Sequence, residues 1–329
     1  MCSSVVQSRS RAVARAGTLS LLLLSPLAFF AALAPSQALA CACGCGVFDV
    51  ATSSMFPTGS GGTVFLELDY QDQNQNWSGT SKAPSGNNGD KEIKTYFFTA
   101  GLQYMFNRSH GIQVEVPYWN RTFKTDTNFG NPPSNIVSTQ WADLGDIRVK
   151  GIYTGFSEDM STGVTYGVKL PTGDYNFNPS IVDRDTQIGT GSTDILLGAF
   201  HRQALTNDNM WSWFTQAQLD QPVLTRTNYR PGTEIDVAAG VHYNGWMFGN
   251  LMITPVAQVI VSERTRDTGS ASASPVASGY QRVLLSPGIE FDLDPVSVYG
   301  DVEIPVWQHF TGNQLTAPYM VKFIASYNF

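Results

Sequence analysis

The chain has 329 residues, of which 14% are charged and 12% are aromatic, and its formal net charge is −7. A disordered chain would carry more charge and fewer aromatic residues. Binding to nucleic acid is disfavoured, because phosphate contacts require basic side chains. After the N-terminal region, no apolar run approaches the roughly 20 residues that a membrane-spanning helix needs. The composition therefore indicates an ordered chain that lacks transmembrane helices and has no nucleic-acid partner.

Residues 1–40 are typical of a secretory signal peptide. The only charged residues in this stretch are Arg9, Arg11 and Arg15. A short interrupted apolar segment follows, and it ends at Ala38-Leu39-Ala40, a small-x-small cleavage pattern. A membrane anchor is the alternative, although the apolar run is short for one.

Residues 41–60 are predicted to form a Cys-rich periplasmic segment before the main domain. Cys41, Cys43 and Cys45 would project from one face of an extended chain, and thiolates bind soft metals. Three interpretations stay open: a metal or redox site at these three cysteines, lipidation of Cys41, and a tail with disulfides in an oxidising compartment. A soft metal at this cluster is the only cofactor that the sequence suggests.

Residues 61–329 are dominated by alternation of apolar and polar residues, which predicts strands. The C-terminus shows this pattern well, because Tyr319, Val321 and Phe323 share one face while Lys322 lies on the other. Twelve such segments follow one another, and their connections alternate between short turns and long polar stretches. The long stretches cover about 73–92, 124–140, 171–190, 223–231, 264–278 and 308–316.

This alternation predicts an all-β fold, a closed antiparallel transmembrane β-barrel of about twelve strands. In lipid every backbone amide must be paired, so a sheet can span a membrane only if it closes on itself. Bacterial barrels have short periplasmic turns and long outer loops. The sequence therefore predicts a location in the outer membrane of a Gram-negative-type bacterium, in contact with its lipid.

Two further features favour a membrane barrel over a soluble β-sandwich or a lipocalin-like barrel. The first is the terminal strand ending at Phe329, which resembles the signal that barrel-assembly machinery recognises. The second is a set of aromatic residues near strand ends, which match the interfacial girdles of membrane barrels. The residues assigned to the girdles are Tyr118, Trp119, Trp141, Trp211, Trp213, Trp246, Phe248, Trp307 and Phe310.

Several of these segments resemble a known family. The stretch from Leu144 to Lys150, the element Leu170-Pro171-Thr172-Gly173-Asp174 and the run from Gly189 to Asp194 look like the signature of an outer-membrane barrel family. That family is named after the meta-cleavage pathway of phenol degradation. The resemblance implies a barrel and a transport role, and it supplies no catalytic residues.

The alternation also predicts which charged side chains line the lumen. Acidic side chains outnumber basic ones, so an open lumen should favour cations or neutral solutes over anions. The predicted lumen-lining residues are Glu67, Asp69, Glu115, Asp146, Arg148, Lys150, Lys169, Asp194, Asp220, Glu234, Asp236, Arg282, Glu290, Asp301, Glu303 and Lys322.

The predicted function is a passive channel or transporter for small solutes, with hydrophobic or aromatic solutes as one option, and no enzymatic activity. The first alternative is a barrel that anchors a metal- or redox-active Cys-rich tail. The second is an outer-membrane hydrolase. The sequence has four histidines, His110, His201, His242 and His309, but they are scattered and no Gly-x-Ser-x-Gly motif accompanies them.

Overall fold

A computed structural model describes residues 56–57, 59–269 and 277–329. The regular secondary structure in these ranges is β-strand, apart from two short 3₁₀ turns at Ser85–Asn87 and Arg184–Thr186. No helix in the described ranges has the length and hydropathy needed to span a lipid bilayer. The strands are β1 (Gly61–Gln73), β2 (Gln75–Gly79), β3 (Ser81–Lys82), β4 (Asp90–Met105), β5 (His110–Asp126), β6 (Ile136–Leu144), β7 (Arg148–Tyr153), β8 (Thr162–Lys169), β9 (Ser192–Ala204), β10 (Trp211–Thr225), β11 (Glu234–Tyr243), β12 (Trp246–Phe248), β13 (Leu251–Arg264), β14 (Tyr280–Leu293), β15 (Val296–Thr316) and β16 (Met320–Asn328).

The strands form one closed antiparallel barrel, as predicted. Adjacent strands of the wall are antiparallel, and β1 pairs with β4 on one side and with the last strand, β16, on the other. Strands β6 and β7 together fill one position in the wall, because both pair with β5. Strands β11 and β12 fill another, because both pair with β13. The wall therefore has twelve strand positions and no free edge along its main body.

The two ends of the barrel differ in the length of their connections. At one end, called here the short-turn end, the turns are brief, such as Gly249-Asn250 between β12 and β13. At the other, the long-loop end, the longest connection covers residues 170–191. The prediction of a loop over 308–316 is wrong, because β15 continues to Thr316. This part of β15 is paired with β2, which supplies the backbone partners that a bare strand would lack.

Apolar residues cover the outside of the wall, and polar residues face the inside. On β1, for example, Leu66 is 66% exposed, whereas the adjacent Glu67 is 6% exposed. The reason is the two-residue period of a strand, which sends successive side chains to opposite faces. Other large apolar side chains exposed on the outer face include Phe98, Leu197, Val237, Val259, Val298 and Phe323.

Three of the aromatic residues assigned to an outer girdle lie inside instead. Trp141 on β6 is buried against residues of the 170–191 connection, and Trp119 on β5 packs against the same cluster. Phe310 is buried because an irregularity in β15 between Pro305 and Trp307 changes which residues face inward. For these residues the alternation does not predict the face, because the strand is irregular or packs on a loop.

Candidate functional site

The interior of the barrel consists of a charged middle layer between two apolar layers. Near the short-turn end lies a cluster formed by Phe56, Phe65, Phe214, Val256, Tyr299 and Ile324. Near the long-loop end lies a second cluster formed by Ile93, Phe123, Trp141, Val182, Ile188 and Leu315. Two members of that second cluster, Val182 and Ile188, belong to the 170–191 connection. This connection therefore folds into the barrel, and it is called the inner loop below.

The base of the inner loop is held by one carboxylate, that of Asp146. Asp146 lies between β6 and β7, where the wall is interrupted opposite Pro117. Its Oδ1 accepts a hydrogen bond from the Gly173 backbone amide at 3.0 Å. Its Oδ2 accepts one from the Thr190 amide at 2.8 Å and one from the Thr190 hydroxyl at 2.5 Å. Asp146 thus joins the two ends of the inner loop, and this arrangement is called the clasp.

The clasp also explains why glycines stand at positions 173 and 189. The backbones of Gly173 and Gly189 cross at the base of the loop. A Cβ on Gly189 would lie 2.3 Å from the backbone carbonyl of Gly173, and one on Gly173 would lie 2.8 Å from the Gly189 Cα. Only residues without a side chain permit this approach. The motifs that suggested the family resemblance are therefore structural elements, and they direct the inner loop into the interior of the barrel.

Further along, the inner loop packs on aromatic rings and on a buried guanidinium group. Phe177 stacks on Trp141 with ring centroids 5.1 Å apart. Arg121 of β5 is fully buried, and its Nη1 donates to the Thr186 carbonyl at 2.5 Å and to the Gln187 carbonyl at 3.2 Å. Because both the apolar side chains and the backbone carbonyls of the loop are satisfied inside the barrel, the loop has a defined position there.

A cavity lies in the charged layer beneath the inner loop and is called the lumen cavity. Its volume is about 140 Å³, and it opens to solvent. Aromatic and apolar residues from β4, β5 and the loops form part of its wall. Eight acidic and four basic side chains also line it, a formal excess of four negative charges: Glu67, Asp69, Glu115, Asp146, Asp185, Asp194, Asp220 and Glu234, with Arg148, Lys169, Arg184 and Arg264.

Three groups of ion pairs lie on the interior wall, and two of them are each built around one lysine. On β1 and β16, Lys322 is fully buried, and its Nζ lies 3.0 Å from Glu67 Oε1 and 3.3 Å from Asp69 Oδ1. On β8, β9 and β10, Lys169 lies between two carboxylates, in contact with Asp194 and 3.0 Å from Asp220 Oδ2. Each lysine therefore serves two acids, which leaves the wall acidic overall.

A third pairing lies on β5 and β7, where Lys150 Nζ is 2.5 Å from Glu115 Oε1 and Arg148 Nη1 is 4.0 Å from Glu115 Oε2. Here two basic groups share one acid, the reverse of the arrangement around Lys322. The interior charge is thus uneven around the barrel circumference.

All sixteen charged residues singled out from the sequence lie on the interior side of the wall. Thirteen are buried, and the other three, Arg148, Asp220 and Glu234, are partly exposed. Nine of them line the lumen cavity: Glu67, Asp69, Glu115, Asp146, Arg148, Lys169, Asp194, Asp220 and Glu234. The remainder lie on the wall elsewhere, including Asp301, whose Oδ2 accepts hydrogen bonds from the Ser286 hydroxyl at 2.9 Å and the Tyr299 hydroxyl at 2.8 Å.

Sequence reasoning missed the residues that fill the lumen. Arg184 of the inner loop sits over the Tyr229 ring, with its guanidinium carbon 4.3 Å from the ring centroid, and 5.1 Å from that of Tyr175. Its guanidinium also donates to the carbonyls of Gly189 and Thr190. The many polar residues of this loop are typical of a solvated connection, and its apolar residues Phe177, Val182 and Ile188 are the signal in the sequence for burial.

Phe56, just before β1, occupies the short-turn end of the interior. It is 4% exposed, and its ring centroid lies 5.3 Å from that of Phe200 and 5.9 Å from that of Phe214. Arg202 Nη2 donates to the Pro57 carbonyl at 3.2 Å. The segment that precedes the first strand is therefore tied to the inside of the barrel at this point.

The cysteines proposed as metal ligands, Cys41, Cys43 and Cys45, lie outside the described residues, as does the predicted signal peptide over 1–40. Within the described ranges, no group of three or more His, Cys, Asp or Glu side chains is arranged to hold a metal ion. The histidines lie apart from one another. For example, His201 Nδ1 is hydrogen-bonded with the Thr162 hydroxyl at 2.8 Å, and the His242 ring packs against Phe214.

Comparisons with known proteins give the fold. No family model matches the chain, and no curated protein matches it. Among solved structures, it is similar to an outer membrane channel from Pseudomonas putida F1, with 10% identity and a TM-score of 0.61 over 85% of this chain and 100% of that one. The beta domain of the Bordetella autotransporter BrkA has 12% identity and a TM-score of 0.47, covering 82% and 100%. The Pseudomonas putida toluene transporter TodX has 9% identity and a TM-score of 0.40, covering 84% and 90%.

Proposed function

We propose that the chain is an outer-membrane channel or transporter for small solutes and that it has no catalytic role. The observation that carries the proposal is the lumen cavity, a solvent-connected space lined by charged groups inside a barrel whose outer face is apolar. The fold shared with a Pseudomonas putida outer membrane channel and the motif resemblance to the phenol-degradation barrel family support the same proposal.

In this proposal the apolar outer face contacts outer-membrane lipid, and the short-turn end faces the periplasm. Bacterial barrels place short turns on the periplasmic side and long loops outside. The inner loop then narrows the path from the outside, while Phe56 narrows it from the periplasm. Strand β16 with Phe329 is the segment through which the barrel-assembly machinery would recognise the chain.

The first test is conductance. The purified full chain, inserted into a planar lipid bilayer in KCl, should give discrete current steps. Under a KCl gradient the reversal potential should report a preference for K⁺ over Cl⁻, because the lumen cavity has an excess of carboxylates. The preference should weaken at high salt, where charges are screened. Preparations that contain folded, heat-modifiable protein but give no current steps would contradict the channel.

The second test concerns the membrane itself. Leu197 lies on the outer face of β9, 47% exposed, and Gln218 lies on the inner face of the adjacent strand at nearly the same level. Leu197→Arg should cost about 2–4 kcal/mol in the free energy of folding into lipid, the value for a charge near the bilayer midplane. Gln218→Arg, the matched control, should cost much less. Equal costs in refolding titrations would show that the outer face does not contact lipid.

One observation also favours a second role, an anchor for a metal- or redox-active tail. Phe56 is fixed inside the barrel, and only ten residues separate it from Cys45 in the sequence. A metal bound by Cys41, Cys43 and Cys45 would therefore be tethered within about 40 Å of Phe56, the reach of a fully extended connection of this length. Metal analysis of the purified chain, compared with a variant in which all three cysteines are serine, tests this role independently of conductance.

A further inference from the structure

The carboxylates of the lumen cavity are not equally satisfied. Asp194 is fully buried, and its side chain lies within hydrogen-bonding reach of the Asp220 carboxyl group. Oδ1 of each residue accepts no hydrogen bond from an N–H donor of the described residues, while Asp220 Oδ2 lies 3.0 Å from Lys169 Nζ. Both residues line the cavity. A buried polar atom without a partner costs free energy, so these two oxygens favour a donor that enters from the cavity.

The basic groups of the same cavity, by contrast, already have partners. Lys169 serves Asp194 and Asp220, and Arg264 lies 2.6 Å from Asp267. Arg184 donates to loop carbonyls and covers the Tyr229 ring. An anion entering the cavity would have to compete for basic groups that are in use, whereas a cation would meet carboxylate oxygens that are not.

The wall of the same cavity also contains aromatic rings. Phe97 and Trp119 both line it, with their rings edge to face at a centroid distance of 4.8 Å. The guanidinium of Arg121 already lies 5.3 Å from the Trp119 ring centroid and 5.9 Å from that of Phe97. These rings therefore accept a flat cation within the chain itself, as expected from the attraction of cations to aromatic faces.

We infer that the lumen cavity binds a small organic cation with N–H donors, of the guanidinium or primary alkylammonium class, through Asp194 and Asp220. The cation donates to Asp194 Oδ1 and Asp220 Oδ1, and the rings of Phe97 and Trp119 in the same cavity attract its positive charge. Neither neutral aromatic solutes nor anions meet both requirements. The inference rests on the proposed function, because it assigns a solute class to the path through the barrel.

The test measures binding apart from transport. Guanidinium chloride at millimolar concentration is titrated into the detergent-solubilised full chain and followed by calorimetry, with NaCl at equal ionic strength as the reference. Tetramethylammonium chloride is the matched probe, because it has the same charge and no N–H donor. Guanidinium should bind saturably and tetramethylammonium should not. Equal binding of the two cations would overturn the role of the carboxylate acceptors.

Variants then locate the site. Asp194→Asn and Asp220→Asn should each weaken guanidinium binding about tenfold or more, the effect of losing one hydrogen bond to a charged group. Glu290→Gln is the control, because Glu290 is a buried interior acid on β14 that does not line the cavity. Asp220 is partly exposed, so its variant should fold even if the Asp194 variant does not, and heat modifiability on gels checks both.

The outcomes separate this inference from the proposed function. Guanidinium binding that is lost in Asp220→Asn supports the site even if the chain gives no current steps. Current steps from a chain that binds no guanidinium, or whose binding is unchanged in Asp220→Asn, would overturn the cation site while the channel stands.

Discussion

The two ends of the barrel interior are occupied by different means. At the long-loop end, the inner loop is held by a buried carboxylate, by backbone crossings at two glycines and by hydrogen bonds from Arg121. At the short-turn end, Phe56 is held by aromatic and apolar contacts and by one hydrogen bond from Arg202 to the next residue. The first arrangement depends on directed polar contacts, and the second depends mainly on burial of a single ring.

This difference predicts that the two ends respond differently to change. Polar contacts to a charged acceptor are directional and are lost as a set when the acceptor is altered. Burial of a ring is not directional and is weakened in proportion to the apolar area removed. Altering Asp146 should therefore release the inner loop in one step, because all the hydrogen bonds of the clasp are lost together. Reducing the side chain at position 56 should weaken the short-turn end in proportion to the apolar area removed.

The largest effect should come from the clasp. Asp146→Asn places an amide donor where the carboxylate accepts from Gly173 and Thr190, and each hydrogen bond lost to a charged acceptor costs about 1.5–3 kcal/mol. The inner loop should leave the barrel, and single-channel conductance should rise several-fold. Asp143→Asn is the control, since Asp143 is an exposed acid three residues away. Unchanged conductance in a folded Asp146→Asn chain would mean that the inner loop does not limit the path.

A smaller effect should follow from the other end. Phe56→Ala removes a buried ring, a change that costs about 3–5 kcal/mol in a packed core. Residues 56–57 should then leave the apolar cluster at the short-turn end. Because the two ends lie in series, opening this end alone should raise conductance only slightly. Combined with Asp146→Asn, it should raise conductance more than the two separate effects predict. Phe106→Ala, which removes an exposed ring in a short turn, is the control. If the conductance increases of the two single variants simply add in the double variant, the two ends do not act in series.

The smallest effect should be a pH dependence of the inner loop. Burial raises the pKa of Asp183 from its ordinary value of 3.8 to about 6. A carboxyl group with a raised pKa stabilises the buried arrangement when protonated, and this contribution is lost as the pH rises from about 4 to about 6. Conductance should therefore be somewhat higher at pH 7 than at pH 4.

The variant Asp183→Asn isolates this residue from the other carboxylates of the interior. It should reduce the difference in conductance between pH 4 and pH 7, whereas Asp174→Asn, at an exposed position in the same loop, should leave that difference unchanged. A pH profile that is the same in both variants and in the unaltered chain would remove Asp183 as the cause.

The wall could be predicted from the sequence because a strand in a barrel has one apolar and one polar face. The alternation around Leu66 and Glu67 is set by that geometry alone, and it located the strands and the interior charges. The loop prediction at 308–316 failed because β15 finds its partner in β2, which lies over 200 residues away in the chain. A pairing between segments so far apart in the chain leaves no recognisable pattern in the local sequence of residues 308–316.

The contents of the barrel were harder to predict than its wall. Arg121 appears as an ordinary basic residue near a strand end, and nothing local shows that its partners are carbonyls of residues 186 and 187. The Leu-Pro-Thr-Gly-Asp element was recognised as a signature, but its meaning depends on the contact of Gly173 with Gly189 and of both loop ends with Asp146. These are tertiary contacts, so they became visible only in the folded chain.

The position of the clasp also bears on the order in which the barrel folds. Asp146 and Thr190 are 44 residues apart in the chain, whereas Thr63 and Asn328, which pair where the ring closes, are 265 apart. The entropy lost in joining two residues grows with their separation, and local contacts form early. The hairpins β7–β8–β9 can thus set the inner loop on the concave side of an open sheet before β1 meets β16. We therefore expect the sheet to curl around a loop already in place, so that no segment has to be threaded into a closed barrel.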